Sequence, residues 1–246
     1  MSNSKYYSEN LRPQIHFSPP KNWMNDPNGL VYYKGEYHLF YQHNPTENRW
    51  GNIHWGHAVS EDLIHWQHLD IALKPDKYGL MFSGSAVVDK NDTSGFFDGG
   101  EGLVAIYTTA LPPKNKDYYL QQQCIAYSKD KGRTWHKYEG NPVIENEQWK
   151  DFRDPKVFWH DETDSWVMVV TNGKKVNIYR SPNLKDWELT SDFSCNAFYF
   201  KGVWECPDLI KLPVENTDEE KWILEVGVQD NSSAGGSGVQ YFVGEF

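Results

Sequence analysis

Ser128-Lys-Asp-Lys-Gly-Arg-Thr-Trp135 is the segment that best indicates the fold, because two other segments share its pattern. Both Ser60-Glu-Asp-Leu-Ile-His-Trp66 and Ser181-Pro-Asn-Leu-Lys-Asp-Trp187 begin with serine, continue through turn-forming residues and close with tryptophan. The three serines are 68 and 53 residues apart in a chain of 246 residues. Each interval has room for about four short strands, which is the content of one β-propeller blade. The repeat therefore predicts a propeller.

Short apolar runs on either side of these segments predict β-strands. The runs are rich in β-branched and aromatic residues, they alternate with clusters of Gly, Pro, Asn and Asp, and helical periodicity is almost absent. They are LVYYKGEYHLFYQ (30–42), SGSAVV (83–88), LVAIYTTA (103–110), KVFWHDETDSWVMVV (156–170) and KWILEVGV (221–228). We therefore predict an all-β protein with about four propeller blades in this chain.

The composition predicts a folded protein that binds an uncharged ligand. A net charge of −10 would repel nucleic acid and anionic membranes. No apolar stretch is long enough to cross a bilayer, and the first ten residues lack the apolar region of an export signal. We therefore expect a cytoplasmic protein, or a secreted one if the sequence had been trimmed, without nucleic-acid or membrane partners. The oligomeric state is left open.

The cysteines and histidines give no sign of a metal site. Cys124, Cys195 and Cys206 lack a CxxC spacing, and the nine histidines include no HxH or HExxH pattern. A Walker-type loop and a dinucleotide motif are also missing, so we expect neither a metal nor another cofactor. The 11 Trp and 15 Tyr residues offer ring faces on which sugars stack, although most of them should belong to the core.

Polar segments precede the predicted first strand of each blade, and three of them contain a carboxylate. They are Asn25-Asp-Pro27, Phe82-Ser-Gly-Ser85, Arg153-Asp-Pro155 and Glu205-Cys-Pro-Asp208. First strands line the central channel of a propeller, so these groups should converge on one axial pocket. A pair of carboxyl groups on either side of a glycosidic bond is the machinery of glycoside hydrolysis.

Four motifs, in this order, resemble those of glycoside hydrolase family 32. They are Trp23-Met-Asn-Asp-Pro-Asn-Gly29, Phe82-Ser-Gly-Ser85, Arg153-Asp-Pro155 and Trp204-Glu-Cys-Pro207. The resemblance begins near Pro19, runs to the last residue and is closest to exo-acting levanases, inulinases and invertases. It implies a five-bladed propeller followed by a β-sandwich. Residues 1–18 would then be an N-terminal extension, and 19–246 a catalytic propeller that lacks the fifth blade and the sandwich.

The resemblance also implies a function and a set of site residues. The protein would be a retaining glycosidase that releases terminal β-D-fructose from levan, inulin or sucrose by double displacement. Asp26 would be the nucleophile, Glu205 the acid and base, and Asp154 the transition-state stabiliser, kept ionised by Arg153. The remaining implied substrate contacts are Asn25, Gln42, Trp50, Phe82, Ser83 and Arg153.

Several alternatives stay open at this point. Sucrose-6-phosphate hydrolases share much of the pattern, and fructosyltransferases differ only in the acceptor that meets the intermediate. A propeller that binds fructan without turnover belongs to another class, and it would be expected to lack one of the three acids. Sialidases need a convergent arginine cluster, whereas only five arginines occur here.

Overall fold

The computed structural model describes residues 9–112, 117–195, 202–233 and 235–246, and these residues are mainly β-structure. The first sheet contains β1 (Trp23–Tyr33), β2 (Glu36–Asn44), β3 (His54–Ser60) and β4 (Gln67–His68). The second contains β5 (Leu80–Asp89), β6 (Gly102–Leu111), β7 (Leu120–Ser128) and β8 (His136–Lys137). The third contains β9 (Phe152–His160), β10 (Ser165–Asn172), β11 (Lys175–Ser181) and β12 (Glu188–Ser194). The fourth contains β13 (Trp204–Pro213), β14 (Glu220–Val228) and β15 (Gly238–Gly244).

These four antiparallel sheets are the blades of a propeller, numbered I to IV. The first strands of successive blades adjoin, since β1 contacts β5, β5 contacts β9 and β9 contacts β13. Asp161–Thr163 forms a short 3-10 turn inside the predicted hairpin between β9 and β10. The prediction of an all-β protein with four blades is confirmed.

The core lies between neighbouring blades, and β10 shows how one strand contributes to two parts of it. Met168 and Val170 pack toward blade II, whereas Val167 and Val169 pack toward blade IV. Side chains alternate between the two faces of a strand. A strand whose two faces are both covered by neighbouring blades therefore needs consecutive apolar residues, and β10 has them in WVMVV (166–170).

The three serine-to-tryptophan segments occupy equivalent places in blades I, II and III. Each connects the third strand to the fourth, and each serine hydroxyl donates to the Asp or Asn two residues later. Each closing tryptophan donates its indole N–H to the carbonyl oxygen three residues before it. The repeat in the sequence is thus a structural turn at the edge of each blade.

Apolar side chains are exposed on the two terminal blades. They are Leu30 and Tyr32 on β1, Ile210 and Leu212 on β13, and Val239, Tyr241 and Val243 on β15. A fifth blade packed against such faces, and the division into domains, stay predictions of the family resemblance. Within the described residues, no helix has the length and apolar character that a membrane crossing requires.

Candidate active site

An irregularity in strand pairing occurs near the start of all four inner strands. The pairing shifts between Met24 and Pro27, between Met81 and Gly84, between Arg153 and Lys156, and between Glu205 and Asp208. Bulges bend a strand and turn its side chains in a new direction, and they are frequent beside active sites. The predicted polar segments therefore lie together at one end of the channel, with their side chains displaced from regular strand positions.

Asp26 is held from the side of blade II. The hydroxyl of Ser83 donates to Asp26 Oδ2 over 2.7 Å. Asn28, which is buried, lies beside this pair, and its amide nitrogen donates to Ser83 Oγ at 3.2 Å in the orientation that satisfies both ends of the amide. Asn25 is oriented in turn by the indole N–H of Trp23, at 2.7 Å. One carboxylate oxygen of Asp26 is thus fixed by a hydroxyl.

Asp154 is a buried carboxylate on a strained backbone. Its side chain is 7% exposed and its φ is +64°, in the left-handed region that non-glycine residues seldom adopt. Its Oδ2 accepts the backbone N–H of Cys206 at 2.9 Å. Burial raises the pKa of Asp154 to about 6, against the opposing effect of the positive charge on Arg153. The negative charges of Asp26 and Glu205 raise this pKa further.

Arg153 connects the carboxylates of the site. Its Nη2 donates to Glu205 Oε1 at 2.8 Å and its Nη1 donates to Asp151 Oδ1 at 2.8 Å, whereas its Nε is 4.0 Å from Asp154 Oδ2. Burial opposes its charge, but Asp154, Asp151 and Glu205 outweigh burial and raise the pKa of the guanidinium. Arg153 was predicted to keep Asp154 ionised. Its charge lowers that pKa, although burial has the larger effect, and the role of Arg153 stays a prediction.

Cys206 lies at the wall of the same pocket. Its Sγ is 3.7 Å from Asp154 Oδ2. Although the residue is exposed, desolvation within the concave site raises the pKa of its thiol, as do the charges of Asp154, Asp26 and Glu205. The thiol therefore stays protonated, and it can donate a weak hydrogen bond to the buried carboxylate.

The predicted aromatic contacts form one cluster, and it has a third member. The rings of Trp50 and Phe82 lie 6.2 Å apart in an edge-to-face arrangement. Tyr119 contacts both, at 6.2 Å from Trp50 and 5.9 Å from Phe82. Trp50 is 46% exposed, so the cluster offers ring surface to a ligand. Tyr119 is absent from the residues predicted from the sequence, and only its place beside a loop in an aromatic-rich chain could have suggested it.

Gln42 and Asp151 are two further polar residues of the site. Gln42 is buried, and its amide donates to the carbonyl oxygen of Met81 at 3.2 Å, so one of its hydrogens is used within the protein. Asp151 was not predicted, although it lies two residues before Arg153 and shares that guanidinium with Glu205. Among the residues of the chain that the structure describes, no group of three or more His, Cys, Asp and Glu is arranged to hold a metal ion.

Comparison with known proteins agrees with the fold and the motifs. The model of the glycosyl hydrolases family 32 N-terminal domain matches residues 16–246. The chain therefore belongs to glycosyl hydrolase family 32.

Several relatives are similar to this chain over nearly all of its length. A levanase from Bacillus subtilis (strain 168) is 57% identical over 247 residues, which is 100% of this chain and 36% of the levanase. An extracellular exo-inulinase from Aspergillus awamori is 49% identical over 265 residues, covering 98% of this chain and 49% of the inulinase. The chain thus spans half or less of the length of these relatives.

Solved structures agree with this assignment. The crystal structure of exo-inulinase from Aspergillus awamori has a TM-score of 0.87 at 48% identity, over 98% of this chain and 51% of the other. The structure of fructofuranosidase from Schwanniomyces occidentalis complexed with fructose has a TM-score of 0.88 at 47% identity, over 99% of this chain and 48% of the other.

Proposed function

We propose that the protein is a retaining β-fructofuranosidase that removes terminal fructose from fructans and sucrose. The observation that carries the proposal is one polar cluster in which Arg153 binds Glu205, Asp154 accepts from Cys206, and Asp26 is fixed by Ser83. Two carboxyl groups, one free to attack and one able to transfer a proton, are what a retaining glycosidase requires.

In the first step, Asp26 attacks the anomeric carbon of the terminal fructose through the oxygen that Ser83 leaves free. A bond forms between Asp26 and that carbon, the bond to the leaving oxygen breaks, and Glu205 gives its proton to that oxygen. In the second step, Glu205 takes a proton from water, the water oxygen bonds to the anomeric carbon, and the carboxylate of Asp26 leaves. Fructose is released with its configuration retained.

Asp154 stabilises the transition state in this scheme. The fructosyl ring becomes positively charged as the glycosidic bond breaks, and a fixed carboxylate in a buried site stabilises such a charge strongly. Because burial raises the pKa of Asp154 to about 6, the carboxylate is ionised at pH 7 but loses its charge in moderate acid. Activity should therefore fall below pH 6 as Asp154 takes up a proton.

The relatives support a substrate with terminal fructose, since they are named levanase, exo-inulinase, invertase and fructofuranosidase. The aromatic cluster of Trp50, Phe82 and Tyr119 gives the pocket a stacking surface for an uncharged sugar. We propose levan, inulin and sucrose as the substrates. Sucrose 6-phosphate, and transfer to a sugar acceptor instead of water, are outcomes of the test.

The test measures the free fructose and the fructosyl oligomers formed from sucrose, inulin, levan and sucrose 6-phosphate by the full-length protein. The variant is Glu205→Gln, and the control is Glu220→Gln, a change of the same kind at the far end of the same blade. We expect the wild type and Glu220→Gln to release fructose from inulin and levan at similar rates, and Glu205→Gln to release almost none. Release from sucrose 6-phosphate alone, or fructosyl oligomers without free fructose, would select the alternatives. No reaction with any of them by a folded protein would refute the proposal.

A further inference from the structure

Four buried polar side chains surround the backbone of the segment that carries Arg153 and Asp154. Three come from blade II, namely Thr108, Gln121 and Gln123, and the fourth is Thr171 on β10. Thr108, Gln123 and Thr171 are 0% exposed and Gln121 is 5% exposed. Polar groups this deeply buried are costly unless each has a partner. Their partners show what they do.

The side chains bind three consecutive residues of the main chain. Gln121 Oε1 accepts the N–H of Phe152 at 2.8 Å, and Gln123 Nε2 donates to the carbonyl oxygen of Phe152 at 2.9 Å. The hydroxyl of Thr171 donates to the carbonyl oxygen of Arg153 at 2.8 Å.

Thr108 joins this set to Asp154. Its Oγ1 accepts the N–H of Asp154 at 3.1 Å and donates its own proton to Gln123 Oε1 at 2.8 Å. Thr108 and Gln123 are also directly opposite each other on β6 and β7. The chain of hydrogen bonds therefore runs from Asp154 through Thr108 and Gln123 back to Phe152.

The shape of β9 explains why such side chains are needed. This strand lies at the edge of its sheet, so alternate backbone groups face no neighbouring strand. The bulge removes further regular pairing, and Asp154 has a φ of +64°, which costs about 1–3 kcal/mol unless its surroundings impose it. Side chains from blade II, together with Thr171 of β10, replace the missing strand partners and fix this conformation.

We infer that Thr108 and Gln123 are positioning residues, which act through the backbone of Asp154 to place the transition-state stabiliser. The inference rests on the proposed function. Thr108 is the sharper test, because it alone among the four binds the amide of Asp154. Loss of its hydroxyl would leave that amide and Gln123 Oε1 without these bonds, and free the carboxylate to move.

Three variants distinguish an effect on the position of Asp154 from an effect on the stability of the fold. Thr108→Val keeps the volume and removes the hydroxyl, whereas Thr108→Ser keeps the hydroxyl and removes a methyl group. Thr109→Val is the matched control, because Thr109 is the next residue, is 0% exposed, and directs its hydroxyl toward Gln122 and Cys124 and not toward Asp154. The readouts are kcat and KM for fructose release by the full-length protein, with the Tm measured alongside.

We expect Thr108→Val to lower kcat about 10- to 100-fold, since displacement by about 1 Å can cost 10²-fold. Thr108→Ser and Thr109→Val should keep most of the activity. With an activated aryl fructoside, the Thr108→Val, Asp154→Asn double variant should have the same kcat as Asp154→Asn alone, because both changes affect the same carboxylate.

If the wild type releases fructose, two results would overturn this inference alone. One is equal activity of Thr108→Val and Thr109→Val. The other is a Thr108→Ser variant as inactive as Thr108→Val, because activity would then follow packing volume and not the hydroxyl. A folded wild type that releases no fructose would instead overturn the proposed function, and this inference with it.

Discussion

Asp154→Asn is expected to make the protein more stable and less active at the same time. The folded protein holds the pKa of Asp154 at about 6, against 3.8 for an ordinary aspartate. At about 1.4 kcal/mol per pH unit, keeping this buried group ionised above pH 6 costs about 3 kcal/mol of folding free energy. Asparagine tolerates the positive φ, fills the same space and still accepts the N–H of Cys206 through its oxygen.

The sign of the pH dependence follows from the direction of the pKa shift. Because the folded carboxyl releases its proton at a higher pH than the unfolded one, the wild type loses stability as pH rises from about 4 to about 6. The difference in the free energy of unfolding between variant and wild type should therefore grow across this pH range, from near zero at pH 4 to about 3 kcal/mol at pH 7. A gain of about 3 kcal/mol corresponds to a Tm increase of about 6–12 °C in a domain of this size.

The assay is thermal unfolding of both proteins between pH 4 and pH 8, followed by tryptophan fluorescence. Fructose release at pH 7 should fall about 10²- to 10³-fold in the same variant, as when one group that stabilises a transition-state charge is removed. If the variant is no more stable than the wild type at pH 7, or if the difference in Tm between them does not change with pH, then ionised Asp154 does not destabilise the folded protein.

Three further predictions concern a buried histidine pair, the aromatic cluster and the acid. His38 and His57 share a 3.0 Å hydrogen bond in the core, and burial lowers the pKa of His38 to about 4 and that of His57 well below its usual value. As pH falls from about 6.5 to 4, His38 takes up a proton in the unfolded chain but not in the folded protein, so the wild type should lose about 3 kcal/mol more stability than a His38→Gln variant. Urea unfolding measures this, and the same pH dependence of the free energy of unfolding in both proteins would contradict it. Tyr119→Ala removes one ring of the surface that Trp50 and Phe82 share, and a loss of about 1.4 kcal/mol of sugar stacking should raise KM for inulin about tenfold. Tyr119→Phe should stay near the wild type, and equal KM values for all three proteins would be the contrary result. Glu205→Gln should keep far more activity on an activated aryl fructoside than on sucrose, because a good leaving group needs little protonation, and equal losses on both would argue against the acid role.

The blades were predictable because their signals are local. Each serine-to-tryptophan turn closes within eight residues, and its hydrogen bonds do not depend on distant parts of the chain. The apolar run of β10 likewise indicates a strand covered on both faces. The gathering of Asp26, Asp154 and Glu205 followed from their place beside first strands, combined with the topology of a propeller. The sequence put them just before these strands, whereas the structure has them inside β1, β9 and β13, at the bulges near the start of each.

The supporting residues were not predictable, because they depend on contacts between distant segments. Thr108 in LVAIYTTA looks like an ordinary strand residue, and its bond to the amide of Asp154 exists only once blades II and III pack together. The pKa of Asp154 also depends on that packing, since the effect of burial outweighs that of the adjacent arginine. The roles of the three acids, the cytoplasmic location and the fifth blade stay predictions.

Attack by Asp26 is the central step of the proposed mechanism, and it can be tested by trapping the fructosyl intermediate. Full-length Glu205→Gln protein would be mixed with an activated aryl fructoside, quenched in acid and weighed intact by mass spectrometry. Without the base, hydrolysis of the intermediate slows and the intermediate accumulates. We expect a mass gain of one fructosyl unit, located on Asp26 by peptide mapping and absent in the Asp26→Asn, Glu205→Gln double variant. Fructosyl attached elsewhere, or rapid turnover by Asp26→Asn, would contradict it.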